Sequence, residues 1–318
     1  MKILYWARLG MARAPITERL GQWPEVTLVV TETLEDTLRE LPAADALVAY
    51  DAPVALARQV SEVLAAPGCR VRWIHFLSAG REGFEAAGLP GRVTVSQTAG
   101  ATAPTVAEHA MALLLALARR VPEMVELTRD ARWDRALATN ARSLEGGVLA
   151  ILGPGQIGRE IARRAKAFGM TTIGLSRSAA PHPTLDETLG LDQLHATLAR
   201  ADAIAVAIAL APETRHILDA RAFAVCTRKP LLVNIARGAV IDQAALVAAL
   251  HAGQIGGAGL DVTDPEPLPA SDPLWRCPNL LISPHFAAGG SARSVARVTE
   301  GLLENLRRFS AGETAGLR

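Results

Sequence analysis

The chain has 318 residues, 50% of them hydrophobic and 20% charged, with 33 Lys and Arg against 32 Asp and Glu for a formal net charge of +1. Such a length fits about two domains and supplies apolar residues for a core in each, which excludes global disorder. The near-neutral balance leaves no basic footprint for nucleic acid and no polybasic membrane signal.

In residues 1–97, short aliphatic runs alternate with helical stretches. Strands are expected at Lys2–Trp6, Val26–Val30, Ala46–Tyr50, Val71–Leu77 and Arg92–Ser96, with helices around Thr33–Leu41 and Pro53–Ala66. Strand–helix alternation predicts a parallel sheet covered on both faces. Thr105 and Glu108 then stand at capping-box spacing, so a helix is expected to begin there and run through Met111–Arg119. It has almost no polar face, which marks a buried helix, read as packed between two domains. Its apolar stretch, Ala110–Ala118, is too short to span a bilayer, which needs about 20 residues. The N-terminus MKILYWARLG has no long apolar run of the signal-peptide kind, so a soluble cytoplasmic protein is expected.

Beyond the more polar segment Pro122–Ser143, which carries Trp133, alternation resumes. Strands are expected at Val148–Leu152, Thr171–Leu175, Ala203–Ile208, Leu231–Ile235, Gly257–Asp261 and Leu280–Ser283, with helices at Gln156–Phe168 and Gln243–Ala252. The fold class is therefore α/β, two doubly wound parallel-sheet domains, and Ser291–Phe309 is a last helix. The 3 cysteines, Cys69, Cys226 and Cys277, are widely spaced and odd in number, so they read as buried free thiols. Neither a disulfide framework nor a metal site is expected.

Val148–Leu152 runs directly into Gly153-Pro154-Gly155-Gln156-Ile157-Gly158, and a helix follows. In that context the three glycines make a dinucleotide-binding turn: one for the tight turn, one for the approach of a pyrophosphate, one for helix–strand packing. An acidic residue closing the next strand would bind the 2′-hydroxyl of NAD. Here Thr171–Leu175 is followed by Ser176-Arg177-Ser178, with no carboxylate. An Arg flanked by two hydroxyls suits a 2′-phosphate, so NADP(H) is preferred, with NAD(H) as the alternative.

Three further segments end on strands, where open α/β sheets bind ligands. Asn234-Ile235-Ala236-Arg237-Gly238 offers Arg237 as a fork for a carboxylate. Leu260–Pro267 carries Asp261 and Glu266, and Ser283-Pro284-His285 carries His285. A His beside a carboxylate suits proton transfer to an oxygen formed when hydride reaches a carbonyl carbon.

These stretches, with Val106-Ala107-Glu108-His109 and Ala211-Pro212-Glu213-Thr214, resemble the D-isomer-specific 2-hydroxyacid dehydrogenase family from about Val71 onward. The resemblance implies Arg237, Glu266 and His285 as the catalytic set, with Arg237 on the substrate carboxylate and Glu266 partnering His285. It implies Asp261 on the nicotinamide carboxamide side, with Ile235, Ala236 and Val106 lining that pocket and cofactor contacts at Ala209 and Pro212. Ser78-Ala79-Gly80, after Leu77, looks like the loop whose backbone N–H groups meet the substrate carboxylate. The family architecture implies a flavodoxin-like substrate domain, residues 1–97 plus 287–318, and a Rossmann cofactor domain, residues 98–286, inserted into it. It also implies a homodimer, with Pro122–Ser143 as the dimer arm. Three places depart from the usual pattern: Ala209 for a Pro, Arg81-Glu82-Gly83 for an apolar residue then Asp, and Thr263 for an aromatic, read as packing. The expected activity is reduction of a small 2-ketoacid of glyoxylate or hydroxypyruvate size to the D-2-hydroxyacid. The alternatives are a non-catalytic dinucleotide-sensing protein and a phosphite- or formate-type dehydrogenase on the same scaffold.

Overall fold

A computed structural model describes residues 1–313, Met11 by its backbone alone. Residues 314–318, the end of the expected substrate-domain segment, lie outside the described residues. The chain divides into two units, Met1–Thr102 with Gly289–Arg318, and Ala103–Ala288.

The first unit holds a parallel sheet of β1 (Lys2–Trp6), β2 (Thr27–Thr31), β3 (Ala46–Ala49), β4 (Trp73–Phe76) and β5 (Thr94–Gln97), in the order β2-β1-β3-β4-β5. This is the flavodoxin-like order. Ile3, Leu4, Leu47, Val48, Ile74 and Phe76 are fully buried, which explains why the central strands read as continuous apolar runs rather than alternating ones. The helix Arg13–Gly21 was not anticipated from its polar sequence; Ile16 and Leu20, one turn apart, are its buried residues. The helix Ala292–Ser310 begins where Ser291 accepts the Ser294 N–H. It buries Val298, Leu302, Leu303 and Leu306 in the core formed by Ile3, Tyr5 and Val48, each Leu worth about 1.5–3 kcal/mol. His75 sits deep in this sheet, hydrogen-bonded to Ser96 and Thr98; burial pushes its pKa down to about 3, so the ring is neutral.

The second unit holds β6 (Val148–Leu152), β7 (Thr171–Ser176), β8 (Glu187–Gly190), β9 (Ala203–Val206), β10 (Leu231–Asn234), β11 (Gly257–Leu260) and β12 (Leu280–Ile282), all parallel. Their order is β12-β11-β10-β9-β6-β7-β8, so the strand order reverses at β6. The edge strand β8 is half-buried and has no apolar run, which is why its sequence, Glu-Thr-Leu-Gly, gave no strand signal. The long helix spans Ala103–Ala118 and starts earlier than the capping-box spacing predicted; Pro104 and Thr105 lie in its first turn, where proline loses no hydrogen bond. Val106, Ala110, Leu113, Leu114 and Leu117 bury its inner face in a core shared with Leu149, Ile151, Ile161 and Val233. Gly259 in β11 makes room for this helix, since a Cβ there would stand 2.9 Å from Leu113 Cβ.

Cys69 and Cys226 are buried and unpaired as expected, whereas Cys277 is half-exposed. Among the described residues, no helix is long and apolar enough to cross a membrane.

Candidate active site

The glycine turn has the form its sequence implies. Gly153 adopts φ +85°, and a Cβ would stand 2.5 Å from Ile208 Cα, so no other residue fits. A Cβ on Gly158 would overlap the Gly153 carbonyl oxygen and approach Ile151 Cγ2 to 3.1 Å, so this glycine lets helix and strand close together. Gly155 differs from both: a Cβ there would meet nothing within 4 Å. It opens the helix Gln156–Ala167, which has no side-chain cap. The turn thus has tight glycines where packing demands them and open backbone at an uncapped helix start, which fits the pyrophosphate of a dinucleotide. Gln156 is exposed and Ile157 half-buried beside it.

Ser176 closes β7, with Arg177 and Ser178 exposed beyond it. Arg177 is paired: its Nη1 lies 3.2 Å from Oε1 of Glu213. The reading that no carboxylate is present at the end of the second strand holds only along the sequence. The fold brings one from the loop after β9. Pro212 and Ala209 are exposed in that loop, and the Ala209 carbonyl accepts the Thr214 hydroxyl at 2.7 Å.

Arg237, Glu266 and His285 follow the adjacent strands β10, β11 and β12. Buried Asn234, the last residue of β10, folds its amide over the loop beyond it: Nδ2 donates to the Arg237 carbonyl at 3.0 Å, and Oδ1 accepts the Ala236 N–H at 3.0 Å. Ile235 is buried and Ala236 half-buried in the same loop, and Arg237 donates Nη1 to the Ala236 carbonyl. Gly238 lets this loop touch the next one, for a Cβ there would overlap the Thr263 carbonyl group and stand 2.6 Å from the Asp264 nitrogen.

His285 Nδ1 lies 2.8 Å from Glu266 Oε2. The hydrogen bond from Glu266 raises the imidazole pKa; burial opposes it, and the charges of Glu266 and Asp261 add to the rise while that of Arg237 subtracts. Burial pushes the Glu266 carboxyl up, yet the His285 hydrogen bond and charge, the Thr263 N–H and Arg237 together hold it below its ordinary value. Thr263 therefore does more than pack: its N–H meets Glu266 Oε1 at 3.2 Å and its hydroxyl donates to the Pro265 carbonyl.

Beneath the pair lies Asp261, 2% exposed. Its carboxylate accepts the Ser283 hydroxyl at 2.6 Å and the backbone N–H groups of Phe286 and Ala287 at 3.1 Å. Its carbonyl accepts the His285 N–H at 2.9 Å, which holds His285 in the left-handed region at φ +51°. Ser283 is in turn 2.9 Å from His109 Nε2, on the long helix. Sequence reading passed over Asn234, Gly238, Ser283 and His109 as parts of motifs; the neighbours of Gly238, Ser283 and His109 lie on other loops or far along the chain, and Asn234 acts on its own loop only through the turn that follows β10. Val106 is buried in the same helix. Among the described residues, no group of three or more His, Cys, Asp and Glu is arranged for a metal.

The family model of the D-isomer-specific 2-hydroxyacid dehydrogenase NAD-binding domain matches residues 111–287, more than half of the chain. The chain belongs to the D-isomer-specific 2-hydroxyacid dehydrogenase family. A glyoxylate reductase of Korarchaeum cryptofilum is 37% identical over 70% of this chain and 67% of its own length. A glyoxylate reductase of Thermococcus gammatolerans is 32% identical over 92% of this chain and 86% of its own. The crystal structure of a D-isomer specific 2-hydroxyacid dehydrogenase family protein from Aeromonas salmonicida matches with a TM-score of 0.85 at 28% identity, covering 98% of this chain and 96% of that one.

In the first unit of this family member, Ser78, Ala79 and Gly80 follow β4. The Ser78 hydroxyl donates to the Gly80 carbonyl at 2.7 Å and accepts the Asp51 N–H at 2.9 Å. Asp51, from the end of β3, also accepts the N–H groups of Gly83 and Phe84, and Gly83 has no room for a Cβ against the Ala52 carbonyl. Arg81 is engaged by Glu85 at 2.6 Å. The unusual Arg81-Glu82-Gly83 thus begins a helix anchored on Asp51. Among the described residues, no acceptor meets the N–H groups of Ala79 and Gly80.

Proposed function

We propose that this chain reduces a small 2-ketoacid of glyoxylate or hydroxypyruvate size to the D-2-hydroxyacid, with NADP(H) preferred over NAD(H). The observation that carries the reading is the 2.8 Å His285–Glu266 pair beside Arg237 at the ends of three adjacent strands.

The dinucleotide would be held by the turn Gly153, Gly155, Gln156, Ile157 and Gly158, by Ser176, Arg177 and Ser178, and by the Ala209–Pro212 loop. Val106, Ile235 and Ala236 would stand at its nicotinamide end. When bound, it supplies the hydride. Arg237 clamps the substrate carboxylate through its planar fork and draws electron density toward the keto oxygen. Ser78, Ala79 and Gly80 would bind substrate through their backbone N–H groups. His285, kept protonated by Glu266, gives its proton to that oxygen as negative charge develops there. Asp261, which would also stand on the nicotinamide carboxamide side, fixes the loop that carries His285 and so positions it. We further propose a homodimer through the segment Pro122–Ser143, in which the helices Val121–Arg129 and Arg135–Asn140 bury no side chain and Met124, Val125 and, at 89%, Trp133 are exposed.

The deciding experiment is a panel of 2-ketoacids with NADPH and NADH on the purified protein. Turnover of glyoxylate or hydroxypyruvate is expected. Dinucleotide binding with no turnover of any panel acid would favour a sensor, and turnover of phosphite or formate instead would overturn the ketoacid reading.

A further inference from the structure

In the second sheet, β9 and β7 flank β6 on its two sides. The glycine turn that ends β6 therefore has one neighbouring loop on each hand: Ser176-Arg177-Ser178 after β7, and the loop through Glu213 after β9. The latter lies on the turn itself, since Gly153 has no room for a Cβ against Ile208. Thr214, 3% exposed, locks that loop: its hydroxyl donates to the Ala209 carbonyl and accepts the Ala211 N–H, both at 2.7 Å. Glu213 is thus carried on a fixed turn, and it reaches across the mouth of the glycine turn to Arg177 at 3.2 Å, with the side chains 48% and 79% exposed.

We propose that Glu213 sets the choice between the two dinucleotides by competing for Arg177. The inference rests on the reading above that Arg177 faces a 2′-phosphate. Such a phosphate carries nearly two negative charges at neutral pH. To bind, it must draw the guanidinium away from Glu213 and then lie beside a like charge. A ribose 2′-hydroxyl meets neither penalty, and it can donate a hydrogen bond to the carboxylate. Glu213 therefore restrains the preference for NADPH and keeps NADH usable, standing in for the acidic residue that the end of β7 lacks. The competition involves exposed charges, so it is modest in size and screened by salt.

Dissociation constants for NADPH and NADH, read from nicotinamide fluorescence on the full chain, test this without a substrate. Glu213→Gln is expected to tighten NADPH about fivefold and to leave NADH unchanged or slightly weakened, with the gain shrinking as salt rises from about 0.05 M to about 0.5 M. Arg177→Ala is expected to weaken NADPH far more than NADH. If Arg177→Ala shifts the ratio and Glu213→Gln does not, or shifts it toward NADH, the role of Glu213 is overturned while the NADPH reading stands. If Arg177→Ala leaves the ratio unchanged, the NADPH reading falls and the inference falls with it.

Discussion

Of the charge pairs beyond the carboxyl ends of the second sheet, His285–Glu266 and Arg177–Glu213 are built to different tolerances. His285 and Glu266 meet at 2.8 Å, and the His285 loop is tied down by the buried Asp261 carboxylate. Arg177 and Glu213 meet at 3.2 Å at the surface, and Glu213 alone has a locked loop behind it. Proton transfer needs heavy atoms within about 2.6–3.2 Å, so the loop that carries His285 is fixed by a buried acceptor, the Asp261 carboxylate. Both pairs are open to solvent, His285 and Glu266 at 49% and 38%, Arg177 and Glu213 at 79% and 48%; recognition of a phosphate by charge tolerates motion and water, so Arg177 needs no buried anchor of the kind His285 has. Rigidity in this unit is spent where the chemistry is short-ranged.

The largest test of that contrast removes the proton donor. His285→Ala is expected to cost about 10²–10⁴-fold in turnover, with NADPH binding by fluorescence retained because the glycine turn is untouched. An equal loss of NADPH binding would show that His285 serves the dinucleotide rather than the proton. Next in size is Gly238→Ala. The added Cβ would overlap the Thr263 carbonyl group and force the Arg237 loop from the Glu266 loop. A displacement near 1 Å at a reacting site costs about 10²-fold, so a turnover loss of that order is expected, with the melting point checking that the unit still folds. Unchanged turnover would mean that the close contact of the two loops is not needed for the chemistry.

Glu266→Gln tests the pair itself. The wild-type imidazole pKa is raised by Glu266, so His285 stays protonated to higher pH and reductase activity falls only as pH rises through that raised value. Without the carboxylate, the fall moves to lower pH, and turnover at acidic pH suffers less than in His285→Ala. A pH profile identical to wild type would break the pair.

The parts of this molecule that were legible in the sequence are those whose partners lie nearby along the chain. The glycine turn, the central strands and the loops bearing Arg237, Glu266 and His285 each announce themselves within a few residues. Arg13–Gly21 did not, because its buried residues are few, and β8 did not, because an edge strand needs no apolar run. In the site, the hidden residues act across sequence distance. Ser283 meets Asp261 and His109, and Glu213 lies 36 residues from Arg177, so no local pattern could announce either contact. The capping-box spacing at Thr105 misplaced a helix start for the opposite reason: the local signal was present, but Ala103 and Pro104 were already helical.

The smallest expected effect sharpens the comparison most directly, because it sets the buried support beneath the first pair and the exposed second pair on one scale. Ser283→Ala removes a hydroxyl donor from the buried Asp261 carboxylate, leaving one oxygen with a single backbone donor. A buried acceptor short of a partner costs about 1–3 kcal/mol, enough to lower the melting point by several degrees. Glu213→Gln breaks an ion pair whose members are both exposed, and such pairs contribute about 0–1 kcal/mol, so its melting point should lie within about 2 °C of wild type. The two changes should also respond differently to ionic strength. The Ser283→Ala deficit persists in high salt because the carboxylate is out of reach of ions, whereas any Glu213→Gln deficit disappears there. Melting curves of both variants at low and high salt measure this. If Glu213→Gln proved as destabilising as Ser283→Ala, and insensitive to salt, the surface pair would be part of the scaffold and not a tunable contact.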